Sequence, residues 1–282
     1  DTIQALAIKP NQWYIDATFG RGGHTTAILE KGAKVVALDF DQDAVEYGSR
    51  TLQKYLATGK LLLARSNFAQ LSKTVLQFKD QTQNKFGGIL FDFGTSVDQL
   101  TNQERGFSFT GTGPLDMRMD NRLGVTAAQL LAVLSEQQLA DSFRDYGGEE
   151  AARAIAKAIV STRKTTPIQT TSQLVGLITR VKRNRGKLHP ATKVFQALRI
   201  IVNSELDNIS EALPQAFTLT QPGSRIVTIA FHEGEDRLVK HFFKAQELAG
   251  QGEALDLVQP DQAEVDTNPR SRSAKLRVFI KK

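Results

Sequence analysis

The chain has 282 residues, of which 40% are hydrophobic and 23% charged, with a formal net charge of +6 and no cysteine. This composition fits a folded protein of one large or two modest domains. It excludes a disulfide-stapled miniprotein, a thiolate zinc or iron–sulfur protein, and any mechanism that needs a cysteine nucleophile. No apolar run approaches the length of a membrane span and the first ten residues lack a secretory signal pattern, so we expect a cytoplasmic protein.

The first hundred residues alternate short β-rich runs with helical stretches. The strands are predicted at residues 13–17, 34–39, 60–64 and 88–93, and the helices between them at 25–31, 41–56 and 68–78. This alternation predicts a parallel sheet covered by helices and joined by right-handed crossovers.

The pattern changes after residue 93. A glycine-rich irregular stretch runs to residue 124, and helical patterns without a strand signal fill residues 126–213. Strands are predicted again at 225–231 and 276–280 and, on a weaker signal, at 254–258, with a helix at 235–248. The sequence therefore predicts an α/β fold with a discontinuous domain, residues 1–103 and 205–282, interrupted by a mostly helical inserted domain, residues 104–204.

The positive charge is concentrated in one part of this insertion, which we call the basic block, residues 151–204. It contains no Asp or Glu, and the rest of the chain is net acidic. Its eleven basic residues are Arg153, Lys157, Arg163, Lys164, Arg180, Lys182, Arg183, Arg185, Lys187, Lys193 and Arg199. One-sided charge of this kind favours a polyanion-binding region over a solvated helical surface, which usually mixes charge signs.

Three predicted strands end in residues that suit a nucleoside ligand. The first is followed by a glycine loop, DATFGRGGH at residues 16–24, the second ends at Asp39, and the fourth at Asp92. Glycines such as Gly20 let a ligand approach the backbone, and a carboxylate at the end of the second strand can accept hydrogen bonds from both ribose hydroxyls. Because Thr25 stands where a dinucleotide fingerprint has its third glycine, the loop favours an adenosyl ligand without a pyrophosphate.

Other residues admit two interpretations each. Phe107 and Phe109 could stack on a base or could anchor their loop to the core. Asp116 and Asp120 could bind magnesium, but salt bridges to Arg118 or Arg122 are favoured. The four scattered histidines have no metal-ligand spacing, so no metal site is predicted.

Several longer strings resemble the MraW-type, or small-subunit methyltransferase H, family of bacterial enzymes. They are RGFSF at 105–109, GPLDMRMD at 113–120, HPAT at 189–192, FQALRI at 195–200 and NPRSRSAKLR at 268–277. The resemblance extends from about residue 13 to residue 277. It implies a class I (Rossmann-like) fold that uses S-adenosylmethionine to methylate a cytidine amine in the decoding region of 16S ribosomal RNA, with the insertion recognising RNA. It also suggests a homodimer.

The resemblance assigns the cofactor contacts, while the chemistry of the reaction and the basic block suggest the catalytic and RNA-binding residues. With the glycine loop, the predicted cofactor contacts are Gly20, Gly22, Gly23, His24, Asp39, Phe68, Asp92 and Gln99. Asp92, with Asp116, is predicted to orient the target amine or accept its proton. The predicted RNA contacts from the basic block are Arg180, Lys182, Arg183, Arg185, Lys187, Lys193 and Arg199.

Three functions remain open from the sequence. The first is an RNA cytidine N4-methyltransferase, and the absence of cysteine agrees with an amine target because methylation at carbon 5 of a pyrimidine usually begins with a thiolate. The second is a small-molecule methyltransferase, which leaves the basic block unexplained. The third is a non-catalytic RNA-binding assembly factor that retains the fold.

Overall fold

The computed structural model describes residues 2–182 and 188–282. The chain divides into two units: the first is Asp1–Gly94 with Leu206–Lys282, and the second is Thr95–Glu205. The second unit therefore begins at Thr95, whereas the composition of the sequence placed the start of the insertion at residue 104.

The first unit contains a seven-stranded sheet. Its strands are β1 (Trp13–Asp16), β2 (Lys34–Asp39), β3 (Leu61–Arg65), β4 (Phe86–Asp92), β5 (Thr220–Ala230), β6 (Gly252–Ala254) and β7 (Lys275–Lys281). The strand order is β3-β2-β1-β4-β5-β7-β6. The first five strands run parallel, and β7 is antiparallel to both β5 and β6.

The predicted strands are all present, with one displaced. The strand predicted at 254–258 is instead the short β6, which ends at Ala254, and Val258 forms only an isolated bridge with Leu276. The boundaries of β2 coincide with those predicted.

Fifteen α-helices occur in the described residues. They are α1 (Thr2–Ala5), α2 (Gly23–Glu30), α3 (Gln42–Thr51), α4 (Gln53–Ala57), α5 (Leu71–Leu76), α6 (Lys79–Thr82), α7 (Val97–Thr101), α8 (Ala127–Val133), α9 (Glu136–Asp145), α10 (Ala152–Arg163), α11 (Thr171–Val181), α12 (Thr192–Asn203), α13 (Glu205–Leu219), α14 (Glu233–Leu248) and α15 (Gln262–Thr267). No helix in this described part of the chain combines the length and apolarity needed to cross a bilayer.

Three helices differ from the predicted pattern. The helix predicted at 68–78 is instead a 3-10 turn, Phe68–Gln70, followed by α5. The helix predicted at 41–56 is divided into α3 and α4 at the buried residue Leu52. Helix α13 continues past Pro214, where the predicted helical region ended at 213. Because Pro214 and Ser210 are both exposed, water can hydrate the Ser210 carbonyl group that loses its helical donor.

Both faces of the sheet are covered by hydrophobic side chains. In β2, Val36 and Leu38 pack into the core on one face, whereas Val35 and Ala37 pack into the core on the other. Burial on both faces is typical of a parallel sheet between helical layers and leaves its ends as the accessible positions for a ligand.

The second unit combines its helices with a long irregular segment, residues 106–124. Asn203, at the end of α12, accepts a hydrogen bond from Met119 N (2.8 Å) and donates one to Met117 O (2.8 Å). Arg105 donates to the carbonyl oxygens of Arg118 and Met119. These bonds fix the segment that contains GPLDMRMD against the helices of its own unit.

Candidate active site

The carboxyl ends of the parallel strands bring three aspartates to one edge of the first unit. Asp16 ends β1, Asp39 ends β2 and Asp92 ends β4. The order of the strands reverses between β1 and β4, and open α/β sheets bind their ligands at such a reversal. We call this region the carboxyl-edge crevice.

The glycine loop between β1 and α2 has the open backbone that the sequence predicts. Gly20 (φ +53°) and Gly22 (φ +73°) adopt left-handed conformations, which glycine allows without strain. A Cβ atom at Gly22 would lie 2.7 Å from the ring of Phe19, whereas a Cβ atom at Gly20 or Gly23 would meet nothing within 4 Å. Gly22 is therefore required by packing, while Gly20 and Gly23 face open space that a ligand can fill.

Asp39 is held by backbone donors at the end of β2. Its carboxylate accepts hydrogen bonds from Gly20 N (2.8 Å) and Asp41 N (2.9 Å). Burial raises the pKa of Asp39 to about 6, although these two N–H donors oppose the shift. The carboxylate thus connects the glycine loop to β2, in the position from which the sequence predicts contact with a ribose.

Asp92 lies at the end of β4, and its two carboxylate oxygens have different surroundings. Its Oδ2 is 3.8 Å from His24 Nδ1, while its buried Oδ1 has no hydrogen-bond partner among residues 2–182 and 188–282. Burial raises the pKa of Asp92 to about 6; His24 opposes the shift, and the negative charges of Asp16 and Glu235 add to it. The side chain as a whole is 32% exposed, so the carboxyl group combines a desolvated oxygen with access to the crevice.

The sequence did not predict roles for Asp16 and Thr18. Asp16 is fully buried and accepts hydrogen bonds from Thr25 Oγ1 (2.7 Å) and Thr18 N (3.2 Å). Thr18 Oγ1 in turn accepts a hydrogen bond from Asp92 N (2.7 Å). These bonds tie β1, the glycine loop and β4 together, and the position of Asp16 at a strand end was the signal that could have identified it.

His232 and Glu235 lie beyond the end of β5, on the same edge. They form a capping box at the start of α14, in which Glu235 Oε2 accepts hydrogen bonds from Phe231 N and His232 N. Glu235 is almost completely buried and acts electrostatically on Asp92. The sequence analysis assigns no role in the site to this glutamate.

Phe68 is buried in an aromatic cluster of the first unit. Its ring centroid lies 5.9 Å from those of Phe91 and Phe93, and it begins a 3-10 turn capped by Asn67, whose side chain accepts a hydrogen bond from Ala69 N. Phe68 therefore forms part of the apolar wall beneath the strand ends. Its predicted contact with an adenine stays a prediction.

Gln99 and Asp116 belong to the second unit. Gln99 completes the capping box of α7, where its Oε1 accepts a hydrogen bond from Ser96 N. Both carboxylate oxygens of Asp116 accept hydrogen bonds from Arg118. Burial opposes the effect, but these bonds and the charge of Arg118 lower the pKa of Asp116, which makes its carboxylate a weak proton acceptor.

The salt bridges predicted for the two carboxylates are confirmed. Asp116 pairs with Arg118 and Asp120 with Arg122, each at 2.7 Å. Phe107 is buried, which agrees with an anchoring role, and the ring of Phe109 stacks on that of His189 with centroids 4.5 Å apart.

Several residues of the basic block have acceptors inside the second unit. Lys182 pairs with Glu149 (2.7 Å), Lys193 donates to Gly148 O (2.8 Å), and Arg199 forms two hydrogen bonds with Glu205 (2.8 Å each). Direct contact with RNA through these three side chains would compete with those bonds.

Of the remaining four predicted RNA contacts, the structure describes only Arg180. Arg180 is exposed at the end of α11 and donates to Gly176 O. Arg183, Arg185 and Lys187 lie outside the described residues.

The first unit contains the features of a known class of enzyme. Five parallel strands, a reversed strand inserted between the fifth and the edge, a glycine loop after the first strand and a carboxylate at the end of the second define the class I S-adenosylmethionine-dependent methyltransferases. The chain is an enzyme of this class.

Comparison with known proteins identifies the family. The model of the MraW methylase family matches residues 1–282, and the chain belongs to that family. Curated relatives named Ribosomal RNA small subunit methyltransferase H include one from Coprothermobacter proteolyticus, 43% identical over 95% of this chain and 89% of that protein. Others come from Thermomicrobium roseum (44% identical, 96% and 88% covered) and Desulfotalea psychrophila (44% identical, 100% and 95% covered).

Proposed function

We propose that this enzyme transfers a methyl group from S-adenosylmethionine to the N4 amine of a cytidine in the decoding region of 16S ribosomal RNA. The observation that carries the proposal is the carboxyl group of Asp92 at the edge of the crevice, whose buried Oδ1 has no hydrogen-bond partner in the described part of the chain. A desolvated acceptor of this kind suits an N–H donor from the substrate, since an unpaired buried polar atom is otherwise unfavourable.

The residues of the first unit fit the cofactor. S-adenosylmethionine, when bound, supplies an electrophilic methyl group. Gly20 and Gly23 leave open space beside the loop, and Asp39 offers a carboxylate fixed by two N–H donors that can accept hydrogen bonds from ribose hydroxyls. His24 and Phe68 complete the proposed contacts in this unit.

Asp92 holds the amine and receives its proton. A cytosine amine is a poor nucleophile because its lone pair is delocalised into the ring, and it becomes acidic as the new N–C bond forms. With a pKa of about 6, Asp92 is mostly ionised at pH 7 and is an effective acceptor. Alignment can supply about 7–11 kcal/mol, whereas a general base typically adds a factor of about 10² to 10⁴, so positioning accounts for most of the acceleration.

The second unit is assigned to RNA. Its exposed cations, including Arg153, Lys157, Lys164 and Arg180, provide the positive surface that a polyanion requires. Because Asp116 is paired with Arg118, we assign it an orienting role and leave proton acceptance to Asp92. The proposed partner is 16S ribosomal RNA or the small ribosomal subunit in the cytoplasm; the suggested homodimer stays a prediction.

The variant Asp92→Asn tests the proposal. With saturating labelled S-adenosylmethionine and unmodified small subunits, we expect the single-turnover rate of methyl transfer to fall by about 10² to 10⁴, because an amide is a far weaker proton acceptor. Asp80→Asn is the matched control, since Asp80 is an exposed carboxylate in α6, before β4 begins. An unchanged rate in Asp92→Asn, with label still entering RNA, would refute the role of Asp92.

A further inference from the structure

Four basic residues lie close together in the string at 268–277 of the first unit, and they form two contrasting pairs. Lys275 donates to Glu233 (2.8 Å) and Asp236 (3.1 Å), and Arg277 donates to Asp236 (2.6 Å). The other two, Arg270 and Arg272, are exposed.

Neither exposed arginine has a side-chain partner among the residues that the structure describes. Within residues 2–182 and 188–282, no hydrogen bond or ion pair involves the guanidinium group of Arg270 or Arg272. The acidic residues of the preceding helix have local hydrogen bonds of their own: Asp261 caps α15, and Asp266 accepts from Gln262. Two guanidinium groups are therefore available to an external ligand.

The topology places these arginines at the edge that carries the active site. Strand β7 begins at Lys275, which is paired with Ala230 near the carboxyl end of β5, while Ile229 is paired with Asp92. The chain just before β7 is therefore on the carboxyl edge. Two strand spacings separate β7 from β4, or about 10 Å, a distance that an extended nucleotide strand readily spans.

The local backbone holds both side chains outward. Pro269–Ser273 forms a 3-10 turn in which Ser271 is buried and donates through Oγ to Asn268 O (2.8 Å). Ala274 N donates to Ser271 O (2.7 Å), which closes the turn. Because Ser271 points inward, its neighbours Arg270 and Arg272 face solvent from a fixed turn, which reduces the entropy lost on binding.

We propose that Arg270 and Arg272 form a phosphate-binding site for the RNA strand that flanks the target nucleotide. The ligand is the sugar-phosphate backbone, since a guanidinium group matches the oxygens of a phosphate in a bidentate geometry and carries no sequence preference. This inference rests on the proposed function, and it adds to the basic block a second RNA contact on the unit that contains the cofactor crevice.

The test measures binding of an unmodified 16S RNA transcript over a range of salt concentrations. In Arg270→Gln/Arg272→Gln, we expect the slope of log affinity against log salt to decrease by about 1 for each lost contact and the dissociation constant near 0.15 M salt to rise about tenfold or more. Affinity for S-adenosylmethionine should be unchanged. The variant Arg270→Lys/Arg272→Lys should recover most of the slope, because it keeps the charges.

Arg50→Gln provides the matched control. Arg50 is also exposed, but it lies at the end of α3, which runs back toward the amino edge of the sheet. We expect its salt slope to equal that of the wild-type protein. A wild-type slope in the double glutamine variant would overturn the inference. Failure of the wild-type protein to methylate unmodified small subunits would instead overturn the proposed function, and the salt slope would still decide whether the two arginines bind phosphate.

Discussion

The half-buried side chain of Asp39, whose carboxylate is desolvated, should make the stability of the ligand-free enzyme depend on pH. Its pKa is about 6 in the folded chain, against an ordinary value of 3.8. Between these values the folded state binds more protons than the unfolded state, so the free energy of unfolding decreases as the pH rises from about 4 to above 6. A difference of about two pKa units corresponds to about 3 kcal/mol.

The variant Asp39→Asn isolates this contribution. An amide does not titrate, so the share of the pH slope that comes from Asp39 should disappear. The amide will also place its NH₂ group against Gly20 N–H or Asp41 N–H, which lowers stability by about 1–3 kcal/mol at every pH. Only the slope therefore tests the reasoning.

Urea unfolding between pH 4.5 and 7.5 measures that slope. Trp13 is the only tryptophan of the chain and lies buried in β1, so its fluorescence reports the first unit. Asp43→Asn, which removes an exposed carboxylate four residues away in the first turn of α3, should keep the wild-type slope. The assignment of a raised pKa to Asp39 would be refuted if the unfolding free energy of Asp39→Asn changed between pH 4.5 and 7.5 by the same amount as that of the wild-type protein, to within about 1 kcal/mol.

The same carboxyl group should control cofactor affinity. A protonated Asp39 cannot accept hydrogen bonds from both ribose hydroxyls, so affinity for S-adenosylmethionine should rise as the pH increases through about 6. Loss of charged hydrogen bonds in Asp39→Asn should weaken binding about a hundredfold or more, as measured by calorimetry.

Alanine substitutions at Gly23 and Gly113 should differ in their effect on stability. Gly23→Ala adds a methyl group to open space at the first residue of α2, so stability should be unchanged or raised by up to about 1 kcal/mol while cofactor affinity falls; Gly176→Ala, in open space on α11, should leave that affinity unchanged. In Gly113→Ala the new Cβ atom would overlap the backbone carbonyl oxygen of Gln103, so we expect a loss of about 3 kcal/mol or more in the stability of the second unit, measured by hydrogen exchange. A stable Gly113→Ala protein would contradict the close approach of Gly113 to Gln103 O. Normal cofactor affinity in Gly23→Ala would contradict the placement of the cofactor beside Gly23.

The sequence predicted the strands more accurately than the helices. The strands are marked by local composition, whereas the limits of some helices depend on contacts between distant residues. Strand β2 is a short apolar run bounded by a lysine and an aspartate, and its predicted limits match the structure. The division of the next helix at Leu52 could not be predicted, since its cause is tertiary: Leu52 is buried close to Gly22 of the glycine loop. Periodicity along the chain contains no information about that contact.

The basic block shows that a count of charges along the chain also misses tertiary contacts. Counting residues along the chain left Lys182 and Arg199 without acidic neighbours, but their partners, Glu149 and Glu205, lie just outside the two ends of the acid-free stretch. Part of the positive charge is thus used within the unit. A local count cannot distinguish such cations from those that remain available to RNA.

The sequence predicted where the strand-end carboxylates lie, but not the contacts that they make. Strand ends and glycines identified Asp39, Asp92 and the loop, because their positions follow from the order of elements. The unpaired oxygen of Asp92 and the bond from its N–H to Thr18 depend on the pairing of β1 with β4, which joins residues far apart in the chain. These details determine which carboxylate is suited to accept a proton.

Nucleoside mass spectrometry of 16S ribosomal RNA, after incubation with the enzyme and isotopically labelled S-adenosylmethionine, measures the proposed reaction most directly. We expect a single labelled nucleoside, N4-methylcytidine, in RNA from small subunits that lacked the modification. Label at carbon 5 of a pyrimidine, on a ribose hydroxyl, or in no nucleoside of the RNA would contradict the proposed transfer from the carboxyl-edge crevice to a cytosine amine.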